Sequence, residues 1–111
     1  MAWVRIDDDL FSHPKILRAW WTDKASIGLW PQGLSWAGRQ LTDGYVSAEF
    51  VRGLLPNRRE RDRTTGALVD ADLWVPNGSG WEIHDWSDYN ASREQTLARR
   101  DADAARKRTA R

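Results

Sequence analysis

Hydrophobic positions recur at helical spacing early in the chain and give way to strand-like runs near its tryptophan-rich hairpin. Ile16, Leu17, Trp20 and Trp21 fall at i, i+1, i+4 and i+5, which puts them on one helix face. Pro14 suits the first turn of that helix, with Ser12 or His13 as its cap. Ile27, Trp30, Leu34, Ala37 and Leu41 then alternate spacings of three and four, a second buried stripe. Gly28, Pro31, Gly33 and Gly38 lie within it, and an interior proline costs about 3 kcal/mol. The helix is therefore expected to start near Pro31 or to bend there. Ahead of both, Trp3-Val4-Arg5-Ile6 alternates like a short strand.

The pattern then shortens. Thr42-Asp43-Gly44 reads as a turn and Tyr45-Val46 as a very short strand. Ser47 is a good N-cap with Glu49 in the first turn, and Phe50, Val51, Leu54 and Leu55 give that helix its inner face. Pro56 ends it. Asn57-Arg58-Arg59-Glu60 has the spacing of a capping box. No apolar side chain occurs from Asn57 to Gly66, and the stripe appears only at Ala67, Leu68 and Ala71. Either the first turns project from the core or the helix begins near Asp62. Leu73 to Pro76 and Trp81 to Trp86 are β-type runs around Asn77-Gly78-Ser79-Gly80, a hairpin signal. Ser92-Arg93-Glu94-Gln95 repeats the capping-box spacing, and a final helix follows in which Leu97 is the one large apolar residue. Arg99–Asp103 and Asp103–Lys107 are its i,i+4 pairs. These elements predict an α+β domain over residues 1–90, mostly helical with a C-terminal β-hairpin. A basic helical extension follows over 91–111. Helix, tight turn, helix, hairpin is the order of a winged helix-turn-helix.

Composition narrows the function classes. The 111 residues include eight Trp, ample for a core, and no Cys, so disulfides and thiolate metal sites are excluded. No apolar run approaches the ~20 residues of a membrane span, and Met1 to Asp9 does not read as a secretory signal. A soluble cytoplasmic protein is expected. The net charge of +1 conceals segregation: residues 52–63 carry +3, residues 64–92 carry five acids and no base, and residues 93–111 carry +4. Such blocks indicate directed electrostatics. Arg outnumbers Lys fourteen to three, a bias that suits phosphate and guanine recognition and that a GC-rich genome also produces.

Several motifs carry a family resemblance over residues 1–100. They are W-V-R-I-D-D-D with H-P-K, the L-T-D-G-Y-V turn, A-D-L-W-V with G-W-E-I-H-D-W, and the Y-N-A-S-R-E-Q exit. Together they resemble small winged-helix proteins of actinobacterial phages and integrated elements, among them replication initiators, helicase-loader-like proteins and small helix-turn-helix regulators. The resemblance implies association with DNA or the replisome in a bacterial host, not an enzyme. Pro31 and the acidic wing depart from it.

The candidate DNA-contacting residues follow from position. Arg58, Arg59, Arg61, Arg63, Thr64 and Thr65 would open the second helix of the turn, where side chains reach base edges in the major groove. A solvated charged connection is the competing explanation. Ser47 and the amides after it could meet a phosphate, or simply cap the helix. Arg99, Arg100, Arg106, Lys107 and Arg108, with Arg93 and Arg111, would add sequence-independent phosphate affinity, or form a solubilising tail. The wing tip has no base, and Glu82 and Asp85 are acidic, so a protein-facing wing competes with a DNA-facing one. Asp7-Asp8-Asp9 do not converge as a metal site, and His13 and His84 have no Cys partners, so neither a metal nor a cofactor is expected. Trp20 and Trp21 cannot both point inward from one helix, and an exposed aromatic marks a partner site. Trp74, Trp81 and Trp86 are expected to pin the hairpin to the helices. Double-stranded DNA is the expected partner. A protein-interaction module that binds host machinery or self-associates is the alternative.

Overall fold

The computed structural model describes residue 6, residues 8–84, residue 86 and residues 93–109. Five helices and a small antiparallel sheet are present among them. The helices are α1 (Pro14–Thr22), α2 (Ala25–Gln40), α3 (Ala48–Leu54), α4 (Arg58–Asp70) and α5 (Arg93–Thr109). The strands β1 (Tyr45–Val46), β2 (Trp74–Asn77) and β3 (Gly80–Ile83) align in the order β1-β3-β2. The fold is thus α+β, mainly helical. The expected strand at Trp3–Ile6 and the capping role of Ser92 lie largely or wholly outside the described residues, and Ile6 itself is not in a strand.

Local chemistry sets most element ends. His13 caps α1 by accepting from the Lys15 amide, with Pro14 at the first helical position. Ser47 accepts from the Phe50 amide at 3.1 Å and opens α3. Asn57 accepts from the Glu60 amide at 2.9 Å and opens α4. The helix therefore begins at Arg58 and not near Asp62, and its first turns project beyond the apolar stripe. One alternative is excluded and one expectation is corrected. First, α2 runs from Ala25 to Gln40 with Pro31 inside it, so it does not start anew at Pro31; the Ser26 hydroxyl donates to the Ala19 carbonyl in the buried α1–α2 joint. Second, α1 buries Ile16 and Ala19, while Leu17, Trp20 and Trp21 remain substantially exposed. The hairpin link also shortens to Gly78-Ser79, since Asn77 and Gly80 pair across the strands.

The core lies between α1, α2, α4 and the sheet. Leu29, Leu34, Ala37, Val46, Val51, Leu68, Leu73, Trp74, Ile83 and Trp86 are buried in one cluster. Trp74 spans the interface between the hairpin and α2: its ring lies against Gly33, where a Cβ would come within 2.6 Å of the indole, and tilts against Trp81 at 5.5 Å. Trp86 covers Gly44, whose φ of +93° only glycine adopts without strain. Trp74 thus fixes the hairpin to α2 as expected, whereas Trp86 packs on the turn before β1 and Trp81 on Trp74. Trp36 stacks on Phe50 at 5.1 Å and joins α2 to α3. None of the described side chains of α5 is buried.

Candidate nucleic-acid interface

The α3–turn–α4 unit presents one exposed face. Helical geometry puts Thr64, Leu68 and Ala71 on the inner side of α4, and Arg59, Asp62, Gly66 and Asp70 on the outer side. Arg58 and Arg59 open the helix and are both exposed. Arg58 lies 3.8 Å from Asp62, an i,i+4 pair so exposed that water and salt weaken it strongly. Arg59 makes no ion pair or hydrogen bond among the described residues. Arg52, in the last turn of α3, is also exposed. These three guanidiniums are available to an anion.

The other predicted contacts in this segment are spoken for by the fold. Thr64 and Thr65 are corrections: both are buried and neither reaches a base edge. The Thr64 hydroxyl donates to the Asp23 carboxylate at 2.7 Å, and the Thr65 hydroxyl donates back to the Arg61 carbonyl at 2.9 Å. Arg61 is half-buried and donates to the carbonyls of Leu55 at 2.9 Å and Pro56 at 3.2 Å, closing the α3–α4 turn. Arg63 approaches Asp23 at 3.6 Å, although more than half of its side chain remains exposed. Ser47 spends its acceptor on the Phe50 amide, and α3 is seven residues long, too short to offer a strong dipole to a phosphate.

Asp23 is the residue that sequence reading missed. It ends α1, accepts the Ala25 amide at 3.1 Å, pairs with Arg63 and accepts Thr64. At the other end of α1, the Lys15 ammonium donates to the Asp72 carbonyl at 3.3 Å and lies 3.1 Å from His84 Nδ1. The two anchors run α1 antiparallel to the C-terminal half of α4. No sequence signal links Asp23 to residues 63 and 64; only the tertiary fold joins them.

At the hairpin tip, the Asn77 amide donates to Glu82 at 2.9 Å, and the turn residues Gly78 and Ser79 are exposed. Val75 and Glu82 sit opposite one another on the solvent face of the sheet. On α5, Arg99, Arg100, Arg106, Lys107 and Arg108 are all exposed. Arg106 pairs with Asp103, one turn away, in place of the expected Arg99–Asp103 and Asp103–Lys107 pairs. Among the described residues no group of three His, Cys, Asp or Glu side chains is placed to hold a metal, and no helix is long and apolar enough to cross a membrane. No protein-family model matches the chain, and no curated protein or solved structure shows significant similarity to it.

Proposed function

We propose that the chain is a winged helix-turn-helix protein that binds duplex DNA through the N-terminal half of α4. On this reading it acts in transcription regulation or replication of a phage or mobile element, in the bacterial cytoplasm. The order α2, β1, α3, α4, β2, β3 with strands aligned β1-β3-β2 supports the fold assignment. The observation that carries the function is the projecting first turn of α4. Arg58 and Arg59 stand clear of the core at a capped helix start, with Arg52 exposed on the helix before it. A helix that inserts its N-terminal residues into the major groove needs that arrangement. Arg59 is the residue assigned to a guanine edge, and Arg52 and Arg58 the residues assigned to phosphates. The α5 cations add affinity without sequence preference.

The test is fluorescence anisotropy on random and genomic duplexes across a salt series. Arg58→Ala with Arg59→Ala should weaken binding about fivefold or more at low salt, an effect of about 1–3 kcal/mol. Unchanged affinity would remove the recognition role from α4.

A second reading draws on the hairpin. Glu82 lies opposite Val75 on the hairpin, Asp70 and Asp72 are exposed in the segment before it, and no Lys or Arg occurs between residues 64 and 84. That surface repels DNA and suits a basic, partly apolar protein partner. It predicts a protein complex that persists at high salt, where a DNA complex dissociates.

A further inference from the structure

Among the described residues, Trp21 is 82% exposed, the most exposed large hydrophobic side chain. Leu17 and Trp20 flank it at i−4 and i−1 and are 40% and 45% exposed. The three form a continuous apolar strip on the outer side of α1. Arg18 and Lys24 stand three residues to either side of Trp21, and both are exposed. The Lys24 ammonium lies 5.5 Å over the Trp20 ring, a cation–π contact. The acid at this end of the helix, Asp23, is turned inward onto Arg63 and Thr64. The strip is therefore aromatic at its centre and cationic at its rim.

Area and charge select the occupant. From the exposures above and the ~150–250 Å² an aromatic buries, the strip offers roughly 350 Å². A stable protein interface needs about 800 Å² per partner, so the strip is too small for one. Two copies meeting through it would set Arg18 and Lys24 against their own counterparts. An exposed ring with a cation on each side matches a different ligand, a nucleobase with its neighbouring phosphates. The Asp23 contacts to Arg63 and Thr64 pack the end of α1 against the candidate recognition helix from its inner side, so an unpaired strand would reach the strip by passing around the end of α1.

We propose that the outer face of α1 is a stacking site for an unpaired base on a strand that leaves the duplex held by α4. Trp21 takes the base face, Trp20 and Leu17 complete the apolar platform, and Arg18 and Lys24 take the adjoining phosphates. The proposal rests on the duplex-binding reading of α4. It makes the chain selective for DNA with a single-stranded extension, such as a fork or an opened end, over blunt duplex.

The test uses the full chain and three labelled probes: a blunt duplex, the same duplex with a short oligo-dT extension, and oligo-dT alone. Base–aromatic stacking is worth about 1–3 kcal/mol, so the extension should tighten binding fivefold or more. Trp21→Ala should remove that gain, and Trp21→Phe should keep most of it. Both substitutions sit on a side chain in water, so the fold is preserved. Arg58→Ala with Arg59→Ala should weaken both duplex probes while leaving their ratio intact. Equal affinity for blunt and extended duplexes would overturn the stacking site and leave the α4 reading standing. So would a gain that survives Trp21→Ala. If blunt duplex is not bound at low salt, the α4 reading fails. Binding of oligo-dT that depends on Trp21 would then still support the stacking site, and its absence would overturn that too. A protein complex lost in Trp21→Ala, with no change on any probe, would assign the face to a protein.

Discussion

Asp23→Ala should destabilise the fold by about 2–4 kcal/mol, although the residue lies outside every sequence motif. The Thr64 hydroxyl is fully buried and donates to this carboxylate at 2.7 Å. Removing the acceptor strands a buried donor, which costs about 1–3 kcal/mol. The lost acceptor for the Ala25 amide adds about 0.5–1 kcal/mol, in the range of a helix cap. The Arg63 pair adds little, because its guanidinium is more than half exposed and water screens the charge. Urea denaturation followed by circular dichroism gives the number, and a double-mutant cycle with Thr64→Val isolates the hydrogen bond. A hydrogen bond to a charged acceptor should couple the pair by about 1.5–3 kcal/mol. A freed Thr64 hydroxyl has one escape, rotation toward the backbone carbonyl one turn back in α4, as Thr65 already does. A loss below about 0.5 kcal/mol in Asp23→Ala, with no coupling to Thr64, would show that this escape suffices and would refute Asp23 as the joint between α1 and α4.

Two glycines of α2 should respond in opposite directions to the same change. Gly28→Ala meets nothing within 4 Å and should gain up to about 1 kcal/mol from helix propensity. Gly33→Ala drives a methyl to within 2.6 Å of the buried Trp74 ring and should lose about 1–3 kcal/mol despite the same propensity gain, measured as a shift in urea midpoint. Deleting residues 93–111 should leave the melting temperature unchanged, since no described α5 side chain is buried, while lowering the salt slope of DNA binding. A large fall in melting temperature would place α5 in the folded unit.

The parts of the fold that were legible in the sequence are those fixed by neighbours in the chain. Ser47, Asn57 and Pro14 mark helix starts because capping is a contact across two or three residues. The turn before β1 and the hairpin were readable for the same reason, although the second strand ends at Ile83 and leaves Trp86 outside it; the burial of Trp74 and Trp86 was readable from their size. Periodicity misled where it could not say which side of a helix has a neighbour. Leu17, Trp20 and Trp21 have helical spacing, but α1 packs on one side only, and Ile16 and Ala19 occupy that side. Pro31 left a new start or a bend open, and the start falls away because propensity is a weak prior against tertiary packing: Leu29, Gly33, Leu34 and Ala37 are buried on both sides of it. Within the candidate site, Arg58 and Arg59 were placed by the cap at Asn57. Arg61, Arg63, Thr64 and Thr65 were not, because their partners are backbone carbonyls and a carboxylate that only the folded chain brings near.

That redistribution of arginines changes the salt dependence that the proposed DNA binding should show. Five arginines lie between residues 52 and 63, yet Arg61 is committed to two carbonyls and Arg63 leans on Asp23. Three remain for phosphates and bases. If all three met phosphates, the domain would show a salt slope of about 3, against about 5 from counting sequence charge, since each contact contributes ~0.9. Asp62 and Asp70 share the same outer face of α4 and reduce the attraction further. A domain of that kind holds duplex weakly at physiological salt unless other cations help. Arg99, Arg100, Arg106, Lys107 and Arg108 of α5, all exposed and close in sequence, are the group able to supply the remainder. On the proposed reading affinity and selectivity are divided: α5 would supply salt-sensitive retention, while Arg59 and the α1 face would decide which DNA is retained. A salt slope that drops to about 3 on removal of α5, with the preference for an extended duplex intact, is the outcome this division requires.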